Sequence, residues 1–261
     1  LHFSALRSPR NQRFGPYEGL FHDPRAIRRI ADSFAPTRPA FSASALESYA
    51  FCPFQFLFKF VLRLLPVPDR EEFEVDYAER GSLLHRALQL VHERLTAIDT
   101  SVLDRLARDI ELTLDQLLAE QPPPAGPFET ALREIEAERL RRTGRLYVRQ
   151  FGAYAEALHA QAECRRCEAS FGAMGSDGLP ALVLGEGDLT VQVQGSIDRV
   201  DVVRTGDAVL LHVIDYKTGH APENADLRLG IALQLPLYAL AVERTLLAGE
   251  PAVPLDVGYW S

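Results

Sequence analysis

The 261 residues predict a mixed α/β domain: a mixed β-sheet core flanked by helices, with a large helical region placed ahead of the sheet. Three observations carry that prediction. Apolar residues recur at helical spacing through much of 81–160. The pattern then switches to β-rich runs between 182 and 216. A helical stretch at 227–247 and a last strand at Val253–Trp260 follow.

In chain order, the first forty residues are rich in Arg, Pro and Gly without clear periodicity and read as a linker or arm. Ser42 and Ser44 can each cap a helix, and Glu47 stands three residues after Ser44, the spacing of a capping box. After Cys52-Pro53 the run Phe54, Phe56, Leu57, Phe58, Phe60, Val61, Leu62 predicts a buried helix that Pro66 and Pro68 end. Leu84, Leu88, Val91 and Leu95 form the stripe of an amphipathic helix, and Leu103, Leu106, Ile110, Leu114 and Leu117 that of a second. The cluster Pro122–Pro127 breaks it, and a long helix over about 128–160 comes next, followed by an Arg-rich Cys164-Arg-Arg-Cys167 read as helical. Strands are expected at 182–184, 189–203 and 208–216, joined by Gly-Glu-Gly-Asp (185–188) and Arg-Thr-Gly-Asp (204–207), both with hairpin composition. Pro236, inside 227–247, marks a first helical turn or a kink.

Composition narrows the function classes. Hydrophobic residues at 47% and charged residues at 25% are ordinary globular values. No apolar run reaches the ~18–20 residues of a membrane span and no signal peptide opens the chain, so a cytoplasmic protein is expected. Met174 is the only methionine and the chain begins at Leu1, which reads as a piece of a longer polypeptide. A net charge of −8 weighs against a surface coated for nucleic acid. Yet residues 1–40 carry seven arginines against three acids, and Arg133, Arg139, Arg141, Arg142, Arg145 and Arg149 crowd one stretch. These are either solvated helix faces or a basic rim for a phosphate backbone. Only Lys59 and Lys217 are lysines, so each is a candidate for a job that arginine cannot do.

Asp215-Tyr216-Lys217, at the end of the apolar run Val209–Ile214, is the densest polar signal. Strand alternation puts Asp215 and Lys217 on one face and Tyr216 on the other. Asp198 lies on the preceding strand, and a hairpin through 204–207 brings it near Asp215 if that strand is long or bulged. Two carboxylates and a lysine so placed suit a hard divalent cation beside a group that orients or activates water; a plain Asp215–Lys217 ion pair is the other reading. Gln234 and Tyr238 share one face of an apolar helix, as core residues or as groups aimed at the strands. His85, beside its helix stripe, is a packed histidine or a metal ligand.

The ordered blocks Ser-Ala-Ser-x-Leu-Glu-x-Tyr-x-x-Cys-Pro-Phe (42–54), Arg80-Gly81-x-x-x-His85, Gly195-x-Ile-Asp-Arg-Val-Asp201, Asp215-Tyr-Lys-Thr-Gly219 and Gln234-Leu-Pro-Leu-Tyr238 together resemble the RecB/AddB-type nucleases of the PD-(D/E)XK superfamily. The resemblance implies a restriction-endonuclease-like fold over 41–261, with a helical part at about 42–160 and a catalytic sheet core at about 180–261. Residues 1–40 would be an arm from a preceding helicase-like region. It implies an Mg²⁺- or Mn²⁺-dependent deoxyribonuclease, an exonuclease domain of a helicase-nuclease in DNA repair and recombination, acting on single-stranded DNA or duplex ends.

Residue by residue, the resemblance makes Asp198, Asp215 and Lys217 catalytic. It makes His85, Asp198, Asp215 and the Tyr216 backbone carbonyl the metal ligands, and Gln234, Tyr238 and, more loosely, Glu168 supporting or DNA-contacting groups. Cys52 matches the first ligand of the [4Fe–4S] cluster found in many such nucleases and would serve it in a fuller chain; three cysteines fall short of four thiolates, so no cluster is expected here. Rival readings are a catalytically silent DNA-binding scaffold of the same fold, a stand-alone CRISPR-associated RecB-like exonuclease, and a domain whose Asp-x-Lys is only a surface ion pair.

Overall fold

The computed structural model describes residues 23–33, 40–64, 77–95, 98–158, 162–172, 178–187, 190–217, 219 and 221–260, without the side chains of Ser33 and residues 77–80. It is a six-stranded mixed sheet with helices on both faces. In order come α1 (Pro24–Ser33), β1 (Phe41–Ser42), α2 (Ala43–Phe51), α3 (Pro53–Phe56), which runs on as a π turn over Leu57–Val61, α4 (Tyr77–His92), α5 (Leu103–Ala119) and α6 (Pro127–Leu158). Then follow β2 (Ala162–Phe171), β3 (Leu182–Leu184), β4 (Val191–Arg204), β5 (Val209–Tyr216), α7 (Asn224–Arg228), α8 (Gln234–Ala241) with a π extension to Leu246, and β6 (Ala252–Trp260).

The 14-residue β4 organises the sheet. Its first residues pair with β1 in parallel and with β3 antiparallel; farther along it pairs antiparallel with β2 and with β5. The crossover through α7 and α8 brings β6 in parallel beside β5. Strand alternation splits the apolar side chains into two cores. Val200, Val202, Leu211 and Val213 pack with α2 and α8, while Val203, Ile214 and Tyr216 pack with α4, α5 and α6. Cover on both faces accounts for the nearly unbroken apolar run of β5. Helix α6 closes tightly on α5 at Gly144, where a Cβ would stand 2.8 Å from Ile110 Cγ2.

Several expectations change on folding. The sheet begins well before 180, since β1 and β2 both belong to it. The Cys164–Cys167 segment is strand β2, not helix. Within the presumed arm, Pro24–Ser33 form an exposed helix. The aromatic helix after Cys52 forms but is mostly exposed: Phe56 alone is buried, against Phe41, Tyr49 and Phe60, while Phe54, Phe58 and Leu62 face outward. One turn of contact with the core buries one side only. Pro66 and Pro68, which were to end it, lie outside the described residues. Helix α2 is capped by Ser42, whose Oγ accepts from the Ala45 N–H at 3.2 Å, and Glu47 completes no capping box. Pro236 sits in the first turn of α8, where its missing N–H costs nothing. Of the six arginines on α6, four are held by carboxylates: Arg133 by Glu129, Arg139 by Glu136, Arg141 by Asp115, and Arg145 by Glu138 and Glu111. That favours the solvated-face reading. Among the described residues no helix is long and apolar enough to cross a membrane.

Candidate active site

The β4–β5 register pairs Arg199 with Ile214 and Val200 with Val213, so Asp198 and Asp215 lie directly opposite each other at the next rung. The long β4 suffices, and its ladder with β5 carries no bulge. Both carboxylates are nearly buried on the α8 side of the sheet. Asp198 Oδ2 accepts the Tyr216 N–H at 2.6 Å, which fixes its carboxylate against the end of β5. His85, on α4, donates Nε2–H to the Tyr216 carbonyl at 3.0 Å and places Nδ1 3.4 Å from Asp198 Oδ1. The backbone of Tyr216 therefore touches both groups.

Glu168 joins them from β2. Its φ of 47° is rare for a residue with a Cβ, and it sits where β2 faces Asp198. There Ser196 Oγ donates to its carboxylate at 3.2 Å. One ligand atom each from His85, Glu168 and Asp198 lie within 4.8 Å of one another. Sequence reasoning gave Glu168 only a loose place; the signal it lacked was the backbone conformation.

Asp215 stands at the edge of this group, outside that set of three, and is held by the other half of the site. Lys217 Nζ lies 2.5 Å from Asp215 Oδ2 and donates to Gln234 Oε1 at 3.1 Å, while Gln234 Nε2 donates to Asp215 Oδ1 at 2.7 Å. The ammonium also lies 5.3 Å from the centroid of the Tyr259 ring, from β6. Gln234 is set by Glu47, whose carboxylate accepts the N–H groups of Leu233 and Gln234, both at 2.8 Å, and so satisfies the start of α8. Tyr238 is 6% exposed and packs edge-on against Phe171 and over Gly195, where a Cβ would come within 2.9 Å of the Tyr238 ring. Its ring is thus part of the core beside the site.

Crowding of negative charge shows in the titration of the site. Burial, and then the field of Asp198, push the Asp215 carboxyl up to about 6 and also raise Glu168. Burial works to lower the His85 imidazole, but its contact with Asp198 and the fields of Glu168 and Asp215 outweigh that and raise it. Crowded carboxylates, an imidazole and a backbone carbonyl in reach make a donor set suited to a hard divalent cation.

Beneath this, on the opposite face, Arg199 and Asp201 of the same β4 block form a fully buried ion pair. Arg199 donates to Tyr147 Oη at 2.7 Å and to Tyr216 Oη at 3.4 Å, and lies over the rings of Phe151, Tyr154 and Trp260. Tyr154 donates to Asp201 at 2.9 Å. The side chain of Tyr216 is thus anchored to this cluster while its backbone serves the site. Nothing in the sequence pairs Arg199 with residues of α6.

The sheet, its flanking helices and the carboxylate–lysine centre define a nuclease architecture, and the chain belongs to the PD-(D/E)XK nuclease superfamily, whose model matches residues 40–261. It is 32% identical over 224 residues, 84% of this chain, to a component of the ATP-dependent helicase/deoxyribonuclease of Lacticaseibacillus casei (strain BL23). To the components of the same name from Pelotomaculum thermopropionicum and Symbiobacterium thermophilum it is 31% and 32% identical over 89% and 87% of its length. The chain spans about a fifth of each of these relatives (19%, 20% and 19%).

Proposed function

We propose that this domain is a divalent-metal-dependent deoxyribonuclease centre in which Asp198, Asp215 and Lys217 carry the chemistry. The observation that supports this best is the direct opposition of Asp198 and Asp215 across the β4–β5 ladder, with Lys217 one pleat beyond Asp215 on the same face. His85, Asp198, Asp215 and the Tyr216 carbonyl, together with Glu168, would hold Mg²⁺ or Mn²⁺, which would supply positive charge to a phosphodiester oxygen and lower the pKa of water beside it.

The protein's own groups do the rest. Asp198 is oriented by the Tyr216 N–H, and His85 by the Tyr216 carbonyl. Lys217, poised between Asp215 and Gln234, is the cation available to position the attacking water and to meet charge gathering on phosphorus. Gln234 spans both members of the pair and sets their separation. Exonuclease action on single strands or duplex ends, and work beside a helicase region, extend this reading to the level of the helicase/deoxyribonuclease relatives.

The test is hydrolysis of end-labelled single-stranded and duplex DNA in Mg²⁺, Mn²⁺ or EDTA by wild type, Asp215→Ala and Lys217→Ala. Cleavage that needs the metal and vanishes in both variants is expected. DNA bound in Mg²⁺ without cleavage by the wild type would overturn the catalytic assignment in favour of a scaffold.

A further inference from the structure

Strand β2 departs from regular pairing twice within five residues. Cys164 pairs with Asp201 and Arg166 with Val200, so Arg165 is an extra residue without a partner on β4. In a regular strand, residues three apart point to opposite faces. The inserted residue makes Cys164 and Cys167 face Asp201 and Arg199, positions two apart on β4, and both cysteines therefore emerge on one face. Their sulfurs are 3.3 Å apart, and both thiols are free and half-buried. They line a polar cavity of about 590 Å³, together with Gln89, Glu93, Arg165 and Glu168. Two thiols in contact, open to a cavity that admits small solutes, are arranged for oxidation to each other.

We propose that Cys164 and Cys167 are a redox-active dithiol, and that its closure to a disulfide resets Glu168. With a peroxide as oxidant, one thiolate attacks a peroxide oxygen. The O–O bond breaks, leaving a sulfenic acid and, once the leaving oxygen is protonated, water or an alcohol. Cys164, whose thiol is pushed up by its hydrogen bond with Cys167 and by burial, is the second to react: as its sulfur attacks the sulfenic sulfur, its proton passes to the departing hydroxide, the S–O bond breaks and water leaves. The pair loses two electrons and two protons, and the peroxide takes them up.

A disulfide draws the sulfurs to about 2.05 Å, roughly 1.2 Å closer than they stand. Cys167 is joined directly to Glu168, whose backbone is left-handed and whose carboxylate lies within 4.8 Å of ligand atoms of His85 and Asp198. Movement of Cys167 is therefore passed to that carboxylate. This coupling rests on reading His85, Glu168 and Asp198 as a metal site; the disulfide does not.

The experiment uses the 261-residue chain carrying Cys52→Ser, so that only the pair can react, treated with hydrogen peroxide. Non-reducing peptide mapping should show the 162–172 segment lighter by two hydrogens and restored by dithiothreitol. Calorimetric titration with Mn²⁺ should show affinity ~10-fold weaker in the oxidised protein, the scale of displacing a group that orients a metal ligand. A companion protein with Cys164→Ser added should keep its affinity after peroxide. Free thiols, or only higher oxides of single cysteines, would overturn the dithiol. A disulfide with unchanged Mn²⁺ affinity, or equal loss in the Cys164→Ser protein, would overturn the coupling. Failure of the reduced protein to bind Mn²⁺ would overturn the metal reading and the coupling with it, leaving the disulfide to stand on the mapping alone.

Discussion

Lys217 is one of two lysines in a chain with 26 arginines, and it holds the position where a compact ammonium fits between Asp215 and Gln234. A guanidinium there would be bulkier and permanently charged. Lys217→Ala and Lys217→Arg should both lower DNA hydrolysis ~10²-fold or more while leaving the circular dichroism spectrum and melting temperature close to wild type. A second consequence at this scale follows from Asp215 and His85. Both carry folded-state pKa values above their ordinary ones, so the folded protein holds protons that the unfolded chain releases more readily. The stability tied to those protons is fully present below about pH 4 for Asp215 and below about 6.5 for His85. It is lost as pH rises through the folded values, about 6 for Asp215. Burial lowers His92 and His212, which work the other way over the same range, so the Asp215 contribution is read by difference: in EDTA the melting temperature of the wild type minus that of Asp215→Asn should fall as pH rises from about 4 through about 6. Mn²⁺ should raise the wild-type melting temperature most at the upper end of that range. Thermal melts across that range, with and without metal, measure it.

At the scale of elements, α8 is held to the site by a residue 187 positions earlier in the chain. Glu47→Ala removes the acceptor for two N–H groups at the start of α8. It should cost ~1 kcal/mol, read from the urea midpoint, with a larger proportional loss of activity because Gln234 is the first residue of that helix. The buried Arg199–Asp201 pair sets a harsher penalty. Arg199→Met should destabilise by ~3–5 kcal/mol by stranding Asp201, whereas Arg199→Met with Asp201→Leu should recover much of it. Urea unfolding of the three proteins decides.

These cases show what the sequence made legible. Strands, helix stripes and the Asp198, Asp215, Lys217 grouping follow from periodicity and residue type, which are local. Glu47 fits a local capping box equally well, and only the folded proximity of α2 and α8 assigns it elsewhere. Likewise β2 carries charged residues and a pair of cysteines in place of alternation, so its two irregularities hid a strand behind a helical reading.

At the scale of the whole molecule, the charge on α6 is largely consumed internally, since four of its six crowded arginines already face carboxylates. Arg141→Ala and Arg145→Ala should leave DNA affinity within about twofold at physiological salt, with no change in the slope of log affinity against log salt. Fluorescence anisotropy over a salt series checks this. A loss of more than that would return α6 to the role of a basic rim. The aromatic side chains that α2, α3 and the π turn after it leave outward (Tyr49, Phe51, Phe54 and Phe58) are the counterpart on the apolar side.

The hairpin between β4 and β5 closes at Thr205–Ala208, where the Thr205 N–H reaches the Ala208 carbonyl at 2.9 Å. From Arg204 and Val209 the ladder runs six residues along each strand to Asp198 and Asp215, roughly 20 Å away. The turn thus acts as a reading frame for the site: one residue gained or lost in either strand would carry its carboxylate to the Arg199 side of the sheet. Changes of length are neutral to this chemistry only where they leave that count intact, so strands exchanged between relatives must travel as a hairpin, turn included.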